Sequence, residues 1–175
     1  SALQAKAKAL AAAGLKRLTV SLDAMDAEIY KQLNDVDFPI ERTLAGIEAA
    51  QKAGISSVKI NVVVKRGTNE KELIKIAEHF RGTGVIVRYI EYMDVGATNG
   101  WRMDDVIPSR QIVEEINSRY PIEPVDPNYP GEVATRWRYK DGMGEIGFIS
   151  SVSEPFCREC SRIRLSVDGK LYKCL

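Results

Sequence analysis

The chain predicts an α/β fold, a partly open parallel barrel followed by a small β-rich segment. Three observations carry this reading. Helix and strand patterns alternate as α-β-α-β-α-β, with strand starts about 40 and then about 27 residues apart, a spacing that suits right-handed crossovers. Each of those strands has one apolar and one polar face. Beyond a stretch punctuated by Pro121, Pro124, Pro127 and Pro130, the pattern changes to short alternating strands.

In order, Ala2 to Ala13 is rich in Ala, Leu and Lys and stops at Gly14, a helix with a C-terminal glycine signal. Lys16 to Asp23 reads as a strand and Asp26 to Leu33 as a short helix. Pro39 or Ile40 to Ala53 is a longer helix, stopped by Gly54. Val58 to Val64 is the clearest strand, being β-branched along its length. Asn69 to Arg81 is a helix with Thr68 or Asn69 as its N-cap, and Val85 to Tyr92 is a third strand. Pro108 or Ser109 opens a helix that ends near Tyr120. The stretch after it reads as a linker, and a boundary falls near residue 121. Thr135 to Lys140 and Glu145 to Ser150 are strands on either side of a glycine-rich turn. Residues 1–120 thus form the barrel portion and 121–175 the β-rich segment.

Strand parity separates the two faces. Leu18, Val20 and Leu22 oppose Thr19, Ser21 and Asp23. Val58, Ile60 and Val62 oppose Lys59 and Asn61, while Val85, Val87 and Tyr89 oppose Arg88. A parallel strand buried on both sides is apolar on both sides. A polar face therefore implies either a lumen that holds a ligand or a solvated sheet surface. The loop from Glu91 to Trp101 leaves the carboxyl end of the third strand, where functional groups concentrate in barrels. Met93 in that loop suits either packing on a cofactor ring or plain filling. His79, between Glu78 and Phe80, reads as a solvated helix position.

The formal net charge of +1 and pI near 7.6 give no global field to recruit nucleic acid or an acidic membrane. No apolar run approaches the ~20 residues of a membrane span, and Ser1 opens directly on a helix pattern without a signal peptide. The three cysteines are grouped at one site, which fits metal chemistry in a reducing compartment such as the cytoplasm better than a disulfide framework.

Cys157, Cys160 and Cys174 follow the pattern C-x2-C-x13-C. The pair alone is compatible with a redox dithiol, half of a zinc knuckle or two packed thiols. The sequence between the second and third cysteines adds a hairpin. Ser161 to Val167 is a strand, Asp168-Gly169 a turn, and Lys170 to Leu175 the return strand that brings Cys174 back. Three thiolates leave a tetrahedral metal, or one iron of a cubic cluster, short of a protein ligand. Arg162 and Arg164 share a strand face, which is either a solvated surface or a pair of guanidinium forks for an anionic ligand. A non-catalytic zinc-binding module on the same cysteines is the alternative function. An RNA-binding surface on Arg136, Trp137 and Arg138 together with the Arg162 and Arg164 pair is disfavoured by the near-neutral charge and an aromatic content of 7%.

Several segments, in order along nearly the whole chain, carry a family resemblance. They are Val20-Ser-Leu-Asp23, Lys59-Ile-Asn-Val-Val-Val64, Arg88-Tyr-Ile-Glu-Tyr-Met-Asp-Val-Gly96, Asn99-Gly-Trp101, Gly131-Glu-Val133, Phe148-Ile-Ser-Ser-Val-Ser153, and Phe156-Cys157 through Cys174-Leu175. With them the chain resembles the MoaA family, the radical S-adenosylmethionine (SAM) GTP 3′,8-cyclases of molybdenum cofactor biosynthesis. The resemblance implies an incomplete (β/α)6 barrel with a C-terminal segment that binds a second 4Fe–4S cluster through Cys157, Cys160 and Cys174. It implies GTP contacts from Lys59, Arg162, Ile163 and Arg164, and SAM contacts from Ser21 and Met93. No separate catalytic residue is assigned, and Arg88 points inward without being taken as a primary contact. The implied reaction is hydrogen abstraction from the ribose by a 5′-deoxyadenosyl radical, then ring closure onto the base.

The family's C-x3-C-x2-C loop, which binds the first 4Fe–4S cluster and SAM, is absent from this sequence. The expectation is therefore an internal or C-terminal fragment without cyclase activity by itself. Its exposed barrel edge would be prone to pair with a second copy.

Overall fold

The computed structural model describes residues 2–34, 38–95, 100–160 and 162–173, the side chain of Glu159 apart. Helix α1 (Leu3–Ala12) ends where Gly14 takes φ +92°, a left-handed conformation that closes the turn. Strand β1 (Arg17–Ser21) follows. Helix α2 (Ala27–Asn34) is capped by Asp26, whose carboxylate accepts the amides of Glu28 and Ile29 at 3.0 and 3.1 Å. Then come α3 (Ile40–Lys52), β2 (Ser57–Val64), α4 (Leu73–Phe80), β3 (Ile86–Glu91) and α5 (Ser109–Arg119). Strands β4 (Ile122–Val125), β5 (Thr135–Tyr139) and β6 (Glu145–Ile149) complete one sheet, and β7 (Arg164–Leu165) and β8 (Leu171–Tyr172) form a separate hairpin.

The six-stranded sheet has the order β1-β2-β3-β6-β5-β4. Strands β1, β2, β3 and β6 are parallel neighbours, while β5 runs antiparallel to β6 and β4 antiparallel to β5. The expected division near residue 121 therefore falls inside one continuous sheet. Two local expectations need correction. The stretch read as a linker contains β4, which forms despite Pro124 because it lies at the sheet's edge. The helix expected over 69–81 begins as a 3-10 turn, Glu70–Glu72, and becomes α-helical only at Leu73. Asn69 stands at the N-cap position, but its side chain serves the strand ends: it accepts the Lys65 amide and donates to the carbonyls of Asp23 and Val63.

One face of the sheet packs on α3, α4 and α5. Leu22, Val58, Ile60, Val62, Val87, Tyr89, Ile146 and Phe148 meet Ile47, Ala50, Leu73, Ile76, Phe80, Ile112 and Ile116 in one buried cluster. The alternation read from the sequence is the reason: every second residue of β2 and β3 is buried. The opposite face is polar. Arg88 donates its Nε to Asn61 Oδ1 at 3.0 Å and its Nη2 to Thr19 Oγ1 at 3.3 Å, so three adjacent strands share one polar row. Gly147 is paired with Arg88 on β6, and a Cβ there would stand 3.3 Å from Arg88 Cγ, so the glycine makes room for the guanidinium stem. Among the described residues no helix is long and apolar enough to cross a membrane.

Candidate functional site

The carboxyl ends of the parallel strands hold two of the predicted groups, Ser21 and Met93. Ser21 ends β1 and is paired with Asn61 of β2. Met93, half-buried, follows the end of β3 at the same end of the sheet. Between them, Lys65 lies over the Tyr92 ring at 4.8 Å and reaches Asp105 at 3.6 Å.

This end of the sheet is braced by buried polar groups that sequence reasoning did not single out. Glu72, fully buried, accepts the amides of Met25 and Asp26 at 2.9 and 2.8 Å and the Lys75 ammonium at 2.6 Å. Burial pushes its carboxyl up, but Lys75 and the two amides together outweigh this and hold it below its ordinary value. Asp23 accepts the Val63 amide at 2.7 Å, and there burial prevails, so its carboxyl is raised. Glu91 is also fully buried and ties β3 to α5 and to the segment after β6. Strand parity was the available signal: Glu91 falls in phase with Val87 and Tyr89, on the core face.

The cysteine turn lies seven positions beyond Ser150. Cys157–Glu159 form a 3-10 turn, closed by the Cys160 amide donating to the Cys157 carbonyl at 3.4 Å. Cys157 is exposed and Cys160 half-buried. Arg162 donates its Nε to Cys160 Sγ at 3.4 Å while its guanidinium stacks 5.1 Å from the Phe156 ring centroid. That hydrogen bond is the main cause of a Cys160 thiol pKa below the ordinary thiol range, with the charges of Arg162 and Arg164 adding to it. In the hairpin, Arg164 pairs with Tyr172 and Leu165 with Leu171. Its turn spans Ser166 to Lys170, with Gly169 at φ +80°, and Lys170 pairs with Asp168 at 2.7 Å. The strands are shorter than the sequence suggested. Ile163 is 62% exposed between the arginines. Cys174 lies outside the described residues, as do Gly96 and Asn99 of the loop after β3.

Lys59 sits low on the polar face, paired with Thr19 and Ile86. It lines a cleft with Arg88, Asn128, Glu132, Arg136 and Glu145, and the cleft holds about 30 Å³, room for a water rather than a nucleotide. Arg136 is already engaged by Glu145 at 2.8 Å. A larger hollow of about 350 Å³ lies between α3 and α4 on the outer side, lined by Leu44, Ile47, Gln51, His79, Phe80 and Thr83 among others. His79 beside it is exposed, as expected.

A mostly parallel sheet packed on helices, followed by a turn that carries two thiols, makes this an α/β protein with a cysteine-bearing segment after its last parallel strand. Residues 2–80 match the model of the Radical SAM superfamily, and residues 85–175 match that of Molybdenum Cofactor Synthesis C. The second match covers more than half of the chain, which belongs to the Molybdenum Cofactor Synthesis C family. The chain is 49% identical over 175 residues to a GTP 3′,8-cyclase of Acidothermus cellulolyticus, covering all of this chain and 48% of that protein. It is 50% identical over 173 residues to a GTP 3′,8-cyclase of Xanthomonas campestris pv. campestris, covering 99% of this chain and 51% of the relative. A GTP 3′,8-cyclase of Staphylococcus carnosus is 43% identical over 163 residues, covering 93% of this chain and 48% of its own. The chain spans about half the length of the curated relatives it matches.

Proposed function

We propose that this chain carries the GTP-side and cluster-side residues of a radical SAM GTP 3′,8-cyclase acting in molybdenum cofactor synthesis. The observation that carries the reading is the cysteine turn itself. Two thiols stand in one tight turn, and an arginine hydrogen bond biases one of them toward the thiolate that metals require. The relatives named GTP 3′,8-cyclase, close to half identical along the whole chain, supply the reaction.

The donor chemistry fits a 4Fe–4S cluster held by Cys157, Cys160 and Cys174. When bound, such a cluster supplies an iron free of cysteine, open to a substrate atom. The chain's own residues do the rest. Arg162, Arg164 and Lys59 neutralise the triphosphate of GTP, and Ile163 offers backbone between the two arginines. Ser21 and Met93, at the carboxyl ends of β1 and β3, receive SAM. The polar face of Thr19, Asn61 and Arg88 lines the interior of a partial (β/α)6 barrel formed by residues 1–120, with 121–175 as the segment that presents cluster and nucleotide. A reducing compartment such as the cytoplasm keeps the thiols available, and a second copy can pair along β1.

Anaerobic reconstitution with iron and sulfide tests the reading. The expected result is about four irons per chain with broad visible absorbance, and GTP binding that weakens at least tenfold on Arg164→Ala while the fold is retained. Tight zinc with no iron uptake would establish the non-catalytic zinc module instead. Unchanged GTP affinity in both Arg162→Ala and Arg164→Ala would remove the phosphate assignment.

A further inference from the structure

We infer that Glu91 is a positioning residue: its carboxylate holds the cysteine arm and the Met93 loop in one fixed relation at the carboxyl end of the sheet. This deepens the reading proposed above and rests on it.

The carboxylate has no exposed surface, and among the described residues its hydrogen-bond partners are backbone amides and a serine hydroxyl, with no cation. One oxygen accepts the Ser109 amide at 2.6 Å and the Ser153 hydroxyl. The other accepts the amides of Val152 and Ser153 at 2.8 and 2.7 Å. The Glu91 carbonyl in turn accepts the Ser151 hydroxyl at 3.2 Å. Three segments therefore converge on one residue: the end of β3, the first residue of α5, and the stretch that leaves β6.

The placement decides what this convergence is for. Glu91 stands two positions before Met93, and Ser153 four positions before Cys157. An ionised carboxylate in a core is expensive unless fully hydrogen-bonded, and an apolar side chain would fill the space at less cost. A carboxylate adds direction, since two oxygens fix two amides of one segment and one amide of another. The amides of Val152 and Ser153, part-buried, would lose these acceptors without it. The start of α5 also favours negative charge at this point. Residues after Ser153 pass straight to Phe156 and the cysteine turn, so the orientation set at 152–153 is passed on to Cys157 and Cys160.

Amide hydrogen exchange read by mass spectrometry on the full chain tests this, with Glu91→Gln as the main variant. Gln keeps the volume but places an amide donor against at least one of the donors now satisfied. The expected result is exchange at least tenfold faster in residues 150–158, in 92–95 and in the first turn of α5, with β1 and β2 unchanged. Alkylation of Cys157 and Cys160 should accelerate in parallel. Faster exchange spread evenly over β1, β2 and β3 would make Glu91 a general stabiliser and overturn the proposal. Unaltered exchange in 150–158 would overturn it as well. Should Glu91→Gln fail to fold, Ser153→Ala removes one donor only and should loosen the same residues by a smaller factor; no local change there is equally fatal. These readouts need no metal. A wild-type chain that takes up no iron would sink the proposed function while leaving the exchange pattern interpretable.

Discussion

Arg88 and Asn61 face each other across β2 and β3, and the guanidinium Nε donates to the amide oxygen at 3.0 Å. Burial lowers the Arg88 pKa, opposed by Tyr129 and Glu132, so a half-buried cation is kept on the polar face by neutral partners and distant acidic groups. Asn61→Ala leaves Thr19, at 3.3 Å, as the remaining side-chain acceptor on the row. Urea unfolding should register a loss of about 1–2 kcal/mol, and Asn61→Asp should recover it.

Phe148 is fully buried, stacked on Tyr89 with centroids 6.0 Å apart and edge-on to Trp137 at 6.2 Å. Phe148→Ala should cost about 3–5 kcal/mol in denaturant unfolding. Leu165→Ala, on a side chain 70% exposed in the hairpin, should stay within about 0.5 kcal/mol. Equal costs at the two positions would mean that the hairpin packs as firmly as the sheet.

Two carboxylates at the same end of the sheet should give opposite pH signatures. Burial pushes the Glu91 carboxyl up, but the Ser153 hydroxyl and the three amides outweigh this and depress it in the fold. Its stabilising contribution is present above the unfolded value and is lost as pH falls through the folded one. Asp23 is raised by burial, so its contribution is present below the ordinary carboxyl value and lost as pH rises through the folded one. Asp23→Asn, which retains an acceptor for the Val63 amide, should therefore gain stability relative to wild type between pH 4 and pH 7. Glu91→Gln should instead flatten the acid limb of the curve. Urea midpoints across that range read both signs.

Arg162 holds the Cys160 thiol below its ordinary range through a hydrogen bond of 3.4 Å. Arg162→Ala should shift the pH midpoint of Cys160 alkylation upward, as followed by peptide mapping of the metal-free chain. Arg162→Lys should restore only part of the shift, since an ammonium lacks the planar fork that also stacks on Phe156. An unmoved midpoint in Arg162→Ala would show that this hydrogen bond does not set the Cys160 pKa.

Local signals in the sequence were enough to find the strands β1, β2, β3, β5 and β6 and the main helices, because parity and helix periodicity are properties of neighbouring residues. The polar row of Thr19, Asn61 and Arg88 was legible for the same reason. The spacing of Cys157 and Cys160 marked their turn. What stayed hidden depends on the third dimension. Strand β4 was masked by Pro124, which disqualifies a central strand but not an outer one. The position of β6 beside β3 places residues 150–153 on Glu91 across some sixty positions of chain, and no local pattern reports that. Likewise, the spacing of Arg162 and Arg164 does not report that Arg162 reaches back to Cys160 and Phe156, since that depends on how the turn folds.

The two borders of the large sheet differ in chemistry. The bond from the Lys140 amide to the Pro121 carbonyl turns the nitrogens of Ile122 and Pro124 outward along β4. Proline has no hydrogen to give, and the Ile122 amide is consumed by Asn117 at 2.9 Å. At these two positions that margin offers no free amide donor to another strand. Any ribbon added at that border would have to bond through the outward carbonyls of Ile122 and Pro124 alone.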